Sequence, residues 1–255
     1  MHHPPGRNLA LPPHRRLVND LLHFCRQVPN VPMERRMNLA ALVMARRIAE
    51  PAPGWCALFI KGMALVAARH PELRRAYLSF PRPHLYEHTG NIASVTIERQ
   101  VGHEPAVFFA HLRDPEIWRL SDIENYLRFC KEQPLERVGS FRRNLAVSRL
   151  PQPLRRLAMW YGLNVSGPQR ARCFGTFGIT VTAGLGAGPL YIPSPLAATL
   201  SYGLLQRDGS LDVLLAFDHR VLDGGTASRI LKELEEVLMN DILDEVRCVR
   251  SRLAA

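Results

Sequence analysis

The chain has 255 residues, 47% of them hydrophobic and 22% charged, with a net charge of +10. This balance is typical of a folded globular protein and excludes a disordered or fibrous chain. No apolar run approaches the length of a membrane span, and no signal-peptide core is visible near the N-terminus. Five scattered cysteines without metal-type spacing predict reduced thiols, a cytoplasmic location and no bound metal. The basic surplus favours anionic partners: nucleic acid, acidic lipid or a phosphorylated cofactor.

The first half of the chain alternates helical and extended patterns. Residues 1–13 are expected to form a flexible tail, in which His2 and His3 are incidental, and residues 14–255 to form a single domain. The stretch 55–70 is apolar on nearly all sides, which predicts a buried helix. Helices are predicted over 14–28, 42–49, 55–70, 123–131 and 135–141, and strands over 31–42, 85–87, 92–100 and 106–112.

Residues 141–172 interleave seven arginines with leucine, methionine and aromatic residues. Three interpretations stay open for this segment. It could be a solvated helical hairpin with a packed apolar face, a binding site for the phosphates of a cofactor or for an acidic carrier, or a surface that binds anionic lipid. Nucleic acid is not expected as a partner, because no nucleic-acid motif accompanies the arginines.

A short apolar run over 211–217 predicts a buried strand that ends next to His219. Gly224 and its neighbour permit a sharp turn, and the apolar spacing beyond it predicts a helix. Because the imidazole pKa lies near neutrality, His219 at a strand end could take and return a proton. The alternative is that Asp223 only caps the next helix and His219 is a core histidine.

Residues 218–224 read Asp-His-Arg-Val-Leu-Asp-Gly. They resemble the active-site motif of the acyltransferase core subunits of 2-oxo acid dehydrogenase complexes and of chloramphenicol acetyltransferases. Condensation domains of peptide synthetases share part of the motif, usually with a second histidine where this chain has Asp218. The order of a buried helix, His-Pro-Glu-Leu at 70–73 and Gly-Asn-Ile at 90–92 also resembles the dehydrogenase core, where paired strands surround such a turn. The resemblance spans residues 15–246.

This resemblance implies an α/β fold of the chloramphenicol acetyltransferase type, with a mixed β-sheet flanked by helices. It also implies a trimer, or a multiple of three, with active sites between subunits. The implied activity is acyl transfer from acyl-coenzyme A to a thiol, hydroxyl or amine on a small molecule or a carrier protein. His219 would be the general base. Arg142, Arg155 and Arg156 are candidates for binding the phosphates of coenzyme A.

Residues 175–180 resemble the family strand that carries a catalytic hydroxyl. The match puts Thr180 where a hydroxyl would donate a hydrogen bond to the oxyanion of a tetrahedral intermediate. Thr182 is the alternative if the register shifts by two residues. The other reading is that Thr180 only favours a strand, as β-branched residues do.

The resemblance further implies that Asp223 is structural and pairs with an arginine near the N-terminus, for which Arg15 and Arg16 are candidates by position. Gly224 would support the site through the turn. No lipoyl domain, swinging linker or subunit-binding module precedes the core in this sequence, so no lipoyl group is expected on the chain. Two other classes stay open: an oligomeric scaffold without turnover, and a peripheral membrane protein that uses the arginine-rich segment.

Overall fold

A computed structural model describes residues 6–253, with side chains described at 6–184 and 186–248. The expected N-terminal tail is covered only in part, because residues 1–5, including His2 and His3, lie outside the described residues. Residues 6–12 have no regular secondary structure. No helix in the described range is both long and apolar enough to cross a membrane.

Helices and strands alternate along the described chain. The helices are α1 Pro13–Cys25, α2 Ala40–Arg47, α3 Trp55–Arg69, α4 Leu120–Glu132, α5 Gly139–Ser148, α6 Gln152–Asn164, α7 Gly167–Phe174, α8 Gly224–Val237 and α9 Leu243–Leu253. The strands are β1 Asn30–Asn38, β2 Arg75–Leu78, β3 His84–Glu87, β4 Ile92–Val101, β5 Glu104–Arg113, β6 Phe177–Val181, β7 Ala198–Tyr202 and β8 Ser210–Asp218.

Most predicted elements agree closely with these bounds, and three do not. The strand predicted over 31–42 ends at Asn38, because α2 already begins at Ala40. The helix predicted over 135–141 is a single 3-10 turn, Leu135–Arg137, followed by α5. The possible hairpin within 141–172 is instead a run of three helices, α5, α6 and α7.

The six-stranded main sheet has the order β1-β8-β7-β6-β4-β5. Strand β6 pairs in parallel with β4 and β7, and the other neighbours are antiparallel, so the sheet is mixed. Strands β2 and β3 form a separate pair. The expectation of paired strands around residues 90–92 was therefore wrong: β3 and β4 lie in different sheets, and β4 pairs with β5 and β6 instead.

Alternation along the strands gives the main sheet two different faces. On β6, Phe177 and Ile179 belong to the hydrophobic core together with α3 and α8. Their neighbours Gly178 and Thr180 point to the opposite face. Helix α3 is buried over most of its length, as its all-round apolar sequence predicts. Gly62 lets α3 approach the end of α8 closely, because a Cβ there would lie 3.1 Å from a methyl of Leu238.

A buried ion pair joins α1 to α6. The carboxylate of Asp20 is fully buried and accepts hydrogen bonds from Arg155 Nε and, at 2.9 Å, from Arg156 Nε. Burial alone would raise the pKa of Asp20, but the hydrogen bonds from Arg156 and Arg155 outweigh it and hold that pKa below its ordinary value. Asp20 is therefore the counter-charge that allows Arg155 to lie inside the protein.

Candidate active site

Strand β8 delivers His219 to the end of the main sheet, where its side chain is exposed. The backbone N–H of His219 donates to the carbonyl oxygen of Pro29 at 3.1 Å, just before β1 begins. Asn30, the first residue of β1, lies opposite Asp218 in the antiparallel register. The buried-core alternative therefore does not describe His219 in this chain, because the imidazole is reachable from outside.

An ion pair between the two neighbours of His219 fixes the turn. Asp218 is fully buried, and it accepts hydrogen bonds from Arg220 through the backbone N–H at 3.0 Å, Nε at 2.9 Å and Nη2 at 2.7 Å. The guanidinium of Arg220 also lies 4.2 Å from the centre of the Tyr77 ring. Because the residues on both sides are held, the backbone direction at His219 is set before any ligand arrives.

A second arginine supports this turn from inside. Arg170 on α7 is buried and donates to the carbonyl oxygens of Tyr77 at 2.8 Å, Leu163 at 2.6 Å and Pro195. Burial lowers the pKa of Arg170 to about 10, although the nearby carboxylate of Asp218 opposes this shift. Arg170 therefore joins α7 to α6, to β2 and to the segment before β7, and its charge acts on Asp218 at the end of β8.

A buried histidine lies in the same region. Burial, followed by the charge of Arg170, lowers the pKa of His88 to about 4. The ring of His88 packs edge-on against Tyr86 with centroids 4.9 Å apart. His88 is consequently neutral near pH 7, and its buried ring contrasts with the exposed imidazole of His219.

Asp223 forms the N-cap of α8 and is exposed. One of its carboxylate oxygens accepts a hydrogen bond from the Thr226 backbone N–H at 2.7 Å, which satisfies a donor of the first helical turn. The backbone N–H and the hydroxyl of Thr226 lower the pKa of Asp223, with smaller contributions from the charges of Arg229 and His219. The capping role foreseen as the simpler alternative is thus present.

Neither of the two arginines expected as partners of Asp223 pairs with it within the described residues. Arg16 Nε donates to the carbonyl oxygen of Leu11 at 2.7 Å, and Arg15 is exposed on α1. Among the ion pairs of residues 6–248, none joins Asp223 to Arg15 or Arg16. Gly224 also differs from expectation, because its φ is not positive and an added Cβ would lie 3.7 Å from Met33, an ordinary contact.

Thr180 lies on β6, and its side chain is buried on the face opposite the core. It pairs with Ser201 of β7, which pairs with Leu214 of β8. Leu214 precedes His219 by five residues, so standard strand spacings separate Thr180 from His219 by roughly 16 Å along the strands, in addition to two strand spacings across the sheet. Thr182 donates its hydroxyl to the carbonyl oxygen of Gly188 at 3.1 Å. One chain therefore does not bring Thr180 or Thr182 to His219.

The three candidate phosphate-binding arginines have different environments. Arg142 is exposed on α5. Arg155 is buried against Asp20, and Arg156 binds the same carboxylate. Only Arg142 of the three is thus available to an anion without breaking an internal ion pair. Within residues 6–248, no group of three or more His, Cys, Asp or Glu side chains is arranged to hold a metal ion.

Sequence reasoning missed the residues that support His219 from behind. Asp218, Arg220 and Arg170 form a charged network that pattern analysis did not single out. A signal for part of it was present, because an acidic residue at the last position of an apolar strand needs a nearby cation. For Arg170, no local signal distinguishes it from the other arginines of its segment.

Sequence comparison finds no matching family model and no matching curated protein. Structural comparison defines the class: the chain has the mixed-sheet fold of the catalytic cores of 2-oxoacid dehydrogenase acyltransferases.

Three solved structures show this likeness. Dihydrolipoamide acetyltransferase from Azotobacter vinelandii is 16% identical, with a TM-score of 0.66 over 98% of this chain and 99% of that one. The truncated catalytic core from Thermoplasma acidophilum is 15% identical, with a TM-score of 0.65 over 92% and 99%. The cubic core of a pyruvate dehydrogenase complex is 15% identical, with a TM-score of 0.64 over 98% and 99%.

The Azotobacter enzyme has been investigated for the roles of a serine, a histidine and an asparagine in its catalytic mechanism. In that enzyme the asparagine follows the histidine by four positions. At these levels of identity the likeness establishes the fold, which confirms the expected mixed β-sheet flanked by helices.

Proposed function

We propose that this protein is an acyltransferase that moves an acyl group from a coenzyme A thioester to a thiol, hydroxyl or amine. The observation that carries the proposal is the exposed His219, held at the end of β8 by the Asp218–Arg220 pair. The fold shared with dihydrolipoamide acetyltransferase cores supports it. So does spacing, because Asp223 follows His219 by the same four positions that separate the histidine and asparagine of the Azotobacter enzyme.

In the proposed mechanism, His219 accepts the proton of the acceptor group as its nucleophilic atom attacks the thioester carbonyl. The carbonyl oxygen becomes an oxyanion, and the hydroxyl of Thr180 donates a hydrogen bond to it. When the tetrahedral intermediate collapses, the carbon–sulfur bond breaks. The coenzyme A thiolate then receives the proton from the His219 imidazolium, which restores the neutral base.

This mechanism requires Thr180 and His219 to come from different copies of the chain. Within one chain they are separated by roughly 16 Å along the strand direction and by two strand spacings across the sheet. A ring of three copies with head-to-tail contacts can bring the two residues together, because such contacts join unlike surfaces. We therefore propose a trimer or a multiple of three as the active form.

The test is a coenzyme A release assay with acetyl-coenzyme A as donor and dihydrolipoamide, a small thiol and an amine as acceptors. His219→Ala should reduce turnover by about 10²–10⁴-fold while folding and oligomer size stay unchanged. His103→Ala is the matched control, since His103 is another exposed histidine on a turn far along the sheet. If the His219→Ala protein keeps more than about a tenth of wild-type turnover, His219 is not the general base. Wild-type protein that releases no coenzyme A with any of these acceptors would contradict the proposal and favour a scaffold of the same fold.

A further inference from the structure

Helix α6 carries large apolar side chains on both its inward and its outward face. Its inward face contains Arg155, Met159 and Leu163, which are buried. Its outward face carries four large apolar or aromatic side chains at helical spacing. They are Leu154, Leu157, Trp160 and Tyr161, which are 54%, 59%, 38% and 49% exposed. A helix in a soluble protein normally turns such a stripe to the core. Here Met159, Leu163 and an arginine neutralised by Asp20 already cover the inward face, so a large part of the outward stripe is left in contact with solvent.

Two further side chains enlarge the stripe into a continuous surface. Phe80 is 48% exposed, and its ring lies 5.8 Å from that of Trp160. The loop that carries Phe80 is fixed to the end of α6 by a hydrogen bond from Ser79 Oγ to Asn164 Oδ1 at 2.8 Å. Leu150, just before α6, is 38% exposed. Together Phe80, Leu150, Leu154, Leu157, Trp160 and Tyr161 form the α6 patch, and contiguous exposed apolar surfaces of this kind mark interaction sites.

The surroundings of the α6 patch are positively charged. Between Glu136 and Asp208 the sequence has nine arginines and no acidic residue. Arg142 and Arg149 are exposed beside α6 in the chain, and Arg82 is exposed two residues after Phe80. The carboxylate of Asp20, which contacts α6 from inside, is fully buried and bound to Arg155 and Arg156. The segment that carries α6 therefore supplies cationic side chains to the surface and no carboxylate of its own.

We propose that the α6 patch docks on a membrane surface that contains anionic phospholipids. A helix lying in the interface plane, with leucines and a tryptophan inward to the acyl chains and arginines at the phosphates, matches this arrangement. Trp160 and Tyr161 suit it because each ring has an apolar body and a polar tip. A two-fold contact between copies suits it less well, because apposing the same patch would bring Arg149 and Arg82 close to the like charges of the other copy.

The test measures binding of the full chain to vesicles of phosphatidylcholine alone and to vesicles with equal parts of phosphatidylcholine and phosphatidylglycerol. Binding should occur with the anionic vesicles, weaken as salt is added, and shift the Trp160 emission to the blue. Trp160→Phe should remove most of that shift. Leu157→Glu should weaken binding by about tenfold or more. Ile117→Glu, at an apolar residue that is 79% exposed elsewhere, is the matched control and should bind as the wild type does.

Each variant changes an exposed side chain, so an unchanged melting temperature verifies that binding alone is affected. Leu154→Glu provides a second variant should Leu157→Glu misfold. Four outcomes would overturn the proposal. The first is an absence of binding to anionic vesicles, and the second is an equal loss of binding in Leu157→Glu and Ile117→Glu. The third is a smaller particle mass by light scattering for Leu157→Glu, which would assign the patch to a second copy. The fourth is Leu157-dependent binding of soluble polyglutamate without vesicle binding, which would assign it to an acidic protein.

Discussion

The carboxylate of Asp218 and the guanidinium of Arg220 lie on the two sides of His219 in the sequence and bind each other directly. A buried carboxylate is tolerated only when cations and hydrogen bonds compensate for its lost hydration. Asp218 therefore needs Arg220 as its counter-charge, and their pairing restricts the backbone direction at His219. The exposed imidazole is held by a charge pair that never has to touch a substrate.

Asp218→Asn keeps the size of the side chain but removes the charge that holds Arg220. We expect kcat for acyl transfer to fall by about 10- to 10²-fold with KM nearly unchanged, because His219 is displaced rather than removed. Steady-state kinetics beside a thermal melt would measure this. A fall in melting temperature with normal kcat per folded molecule would assign Asp218 to stability alone.

Two substitutions at Asp223 test its role as the N-cap of α8. Asparagine caps a helix as well as aspartate does, whereas alanine cannot accept the Thr226 N–H. Asp223→Ala should lower the melting temperature by roughly 2–4 °C, and Asp223→Asn should leave it unchanged. Calorimetry of the three proteins at one concentration makes the comparison. Equal melting temperatures for alanine and aspartate would remove the capping role.

The sequence predicted His219, its strand and the cap at Asp223 because each depends on residues close together in the chain. Periodicity and turn residues carry that information. Arg220 binding Asp218 was within reach of the same reasoning. Arg170 was not, since its partners Tyr77 and Pro195 are distant in sequence, and nothing local predicts that this arginine is buried.

Long-range contacts also decide how helices α1 and α6 sit. Arg155 was a candidate for binding phosphate, as its basic segment suggested. In the structure it is buried against Asp20, 135 positions away in the sequence. The sequence predicts a helix at α1, but it does not reveal that Asp20 is an internal charge. This is why a helical hairpin could be offered as one interpretation of the arginine-rich segment, while the face that the segment buries could not be predicted.

Asp20→Ala tests that clamp between α1 and α6. It would leave Arg155 buried without its counter-charge, which typically costs about 3–5 kcal/mol in the free energy of unfolding. The double variant Asp20→Ala/Arg155→Met removes both charges and should recover most of the loss. Urea denaturation of the wild type and of the single and double variants gives the change in the free energy of unfolding for each variant. A single variant as stable as the wild type would mean that the pair contributes nothing.

The same pair predicts how stability changes in acid. The pKa of Asp20 in the folded protein lies below its ordinary value. Its stabilisation is then complete above the unfolded pKa of about 3.9 and is lost as the pH falls through the folded pKa. The double variant should show a shallower acid dependence than the wild type. Urea midpoints measured between about pH 6 and pH 3 make the comparison, and parallel curves would contradict the prediction.

At the scale of the whole molecule, the sheet separates two residues that the proposed chemistry needs together. His219 follows the end of β8, and Thr180 lies toward the far end of β6. We expect His219→Ala and Thr180→Ala to be inactive alone and to regain activity when co-expressed. In a ring with head-to-tail contacts, random assortment leaves about a quarter of the sites with both residues intact.

The measurement is turnover of the co-expressed mixture, with light scattering to determine the mass of each assembly. Activity near a quarter of wild type, with masses that are multiples of three chains, is the expected result. Variant proteins that are purified separately and then mixed should stay inactive unless they exchange chains. A folded, oligomeric mixture that remains inactive would place the reacting groups within one chain or exclude Thr180 from the site.

The register that joins Asn30 to Asp218 also bears on how the protein is made. Strand β1 emerges from the ribosome early, and its neighbour β8 is the last of the described strands to be synthesised. The sheet therefore depends on contacts between distant parts of the chain, which form slowly. Until β8 arrives, β7 has an unpaired edge that can join other chains. A chain that stops before residue 210 would thus be a hazard for aggregation, and the late strand that positions His219 also protects the protein during its own synthesis.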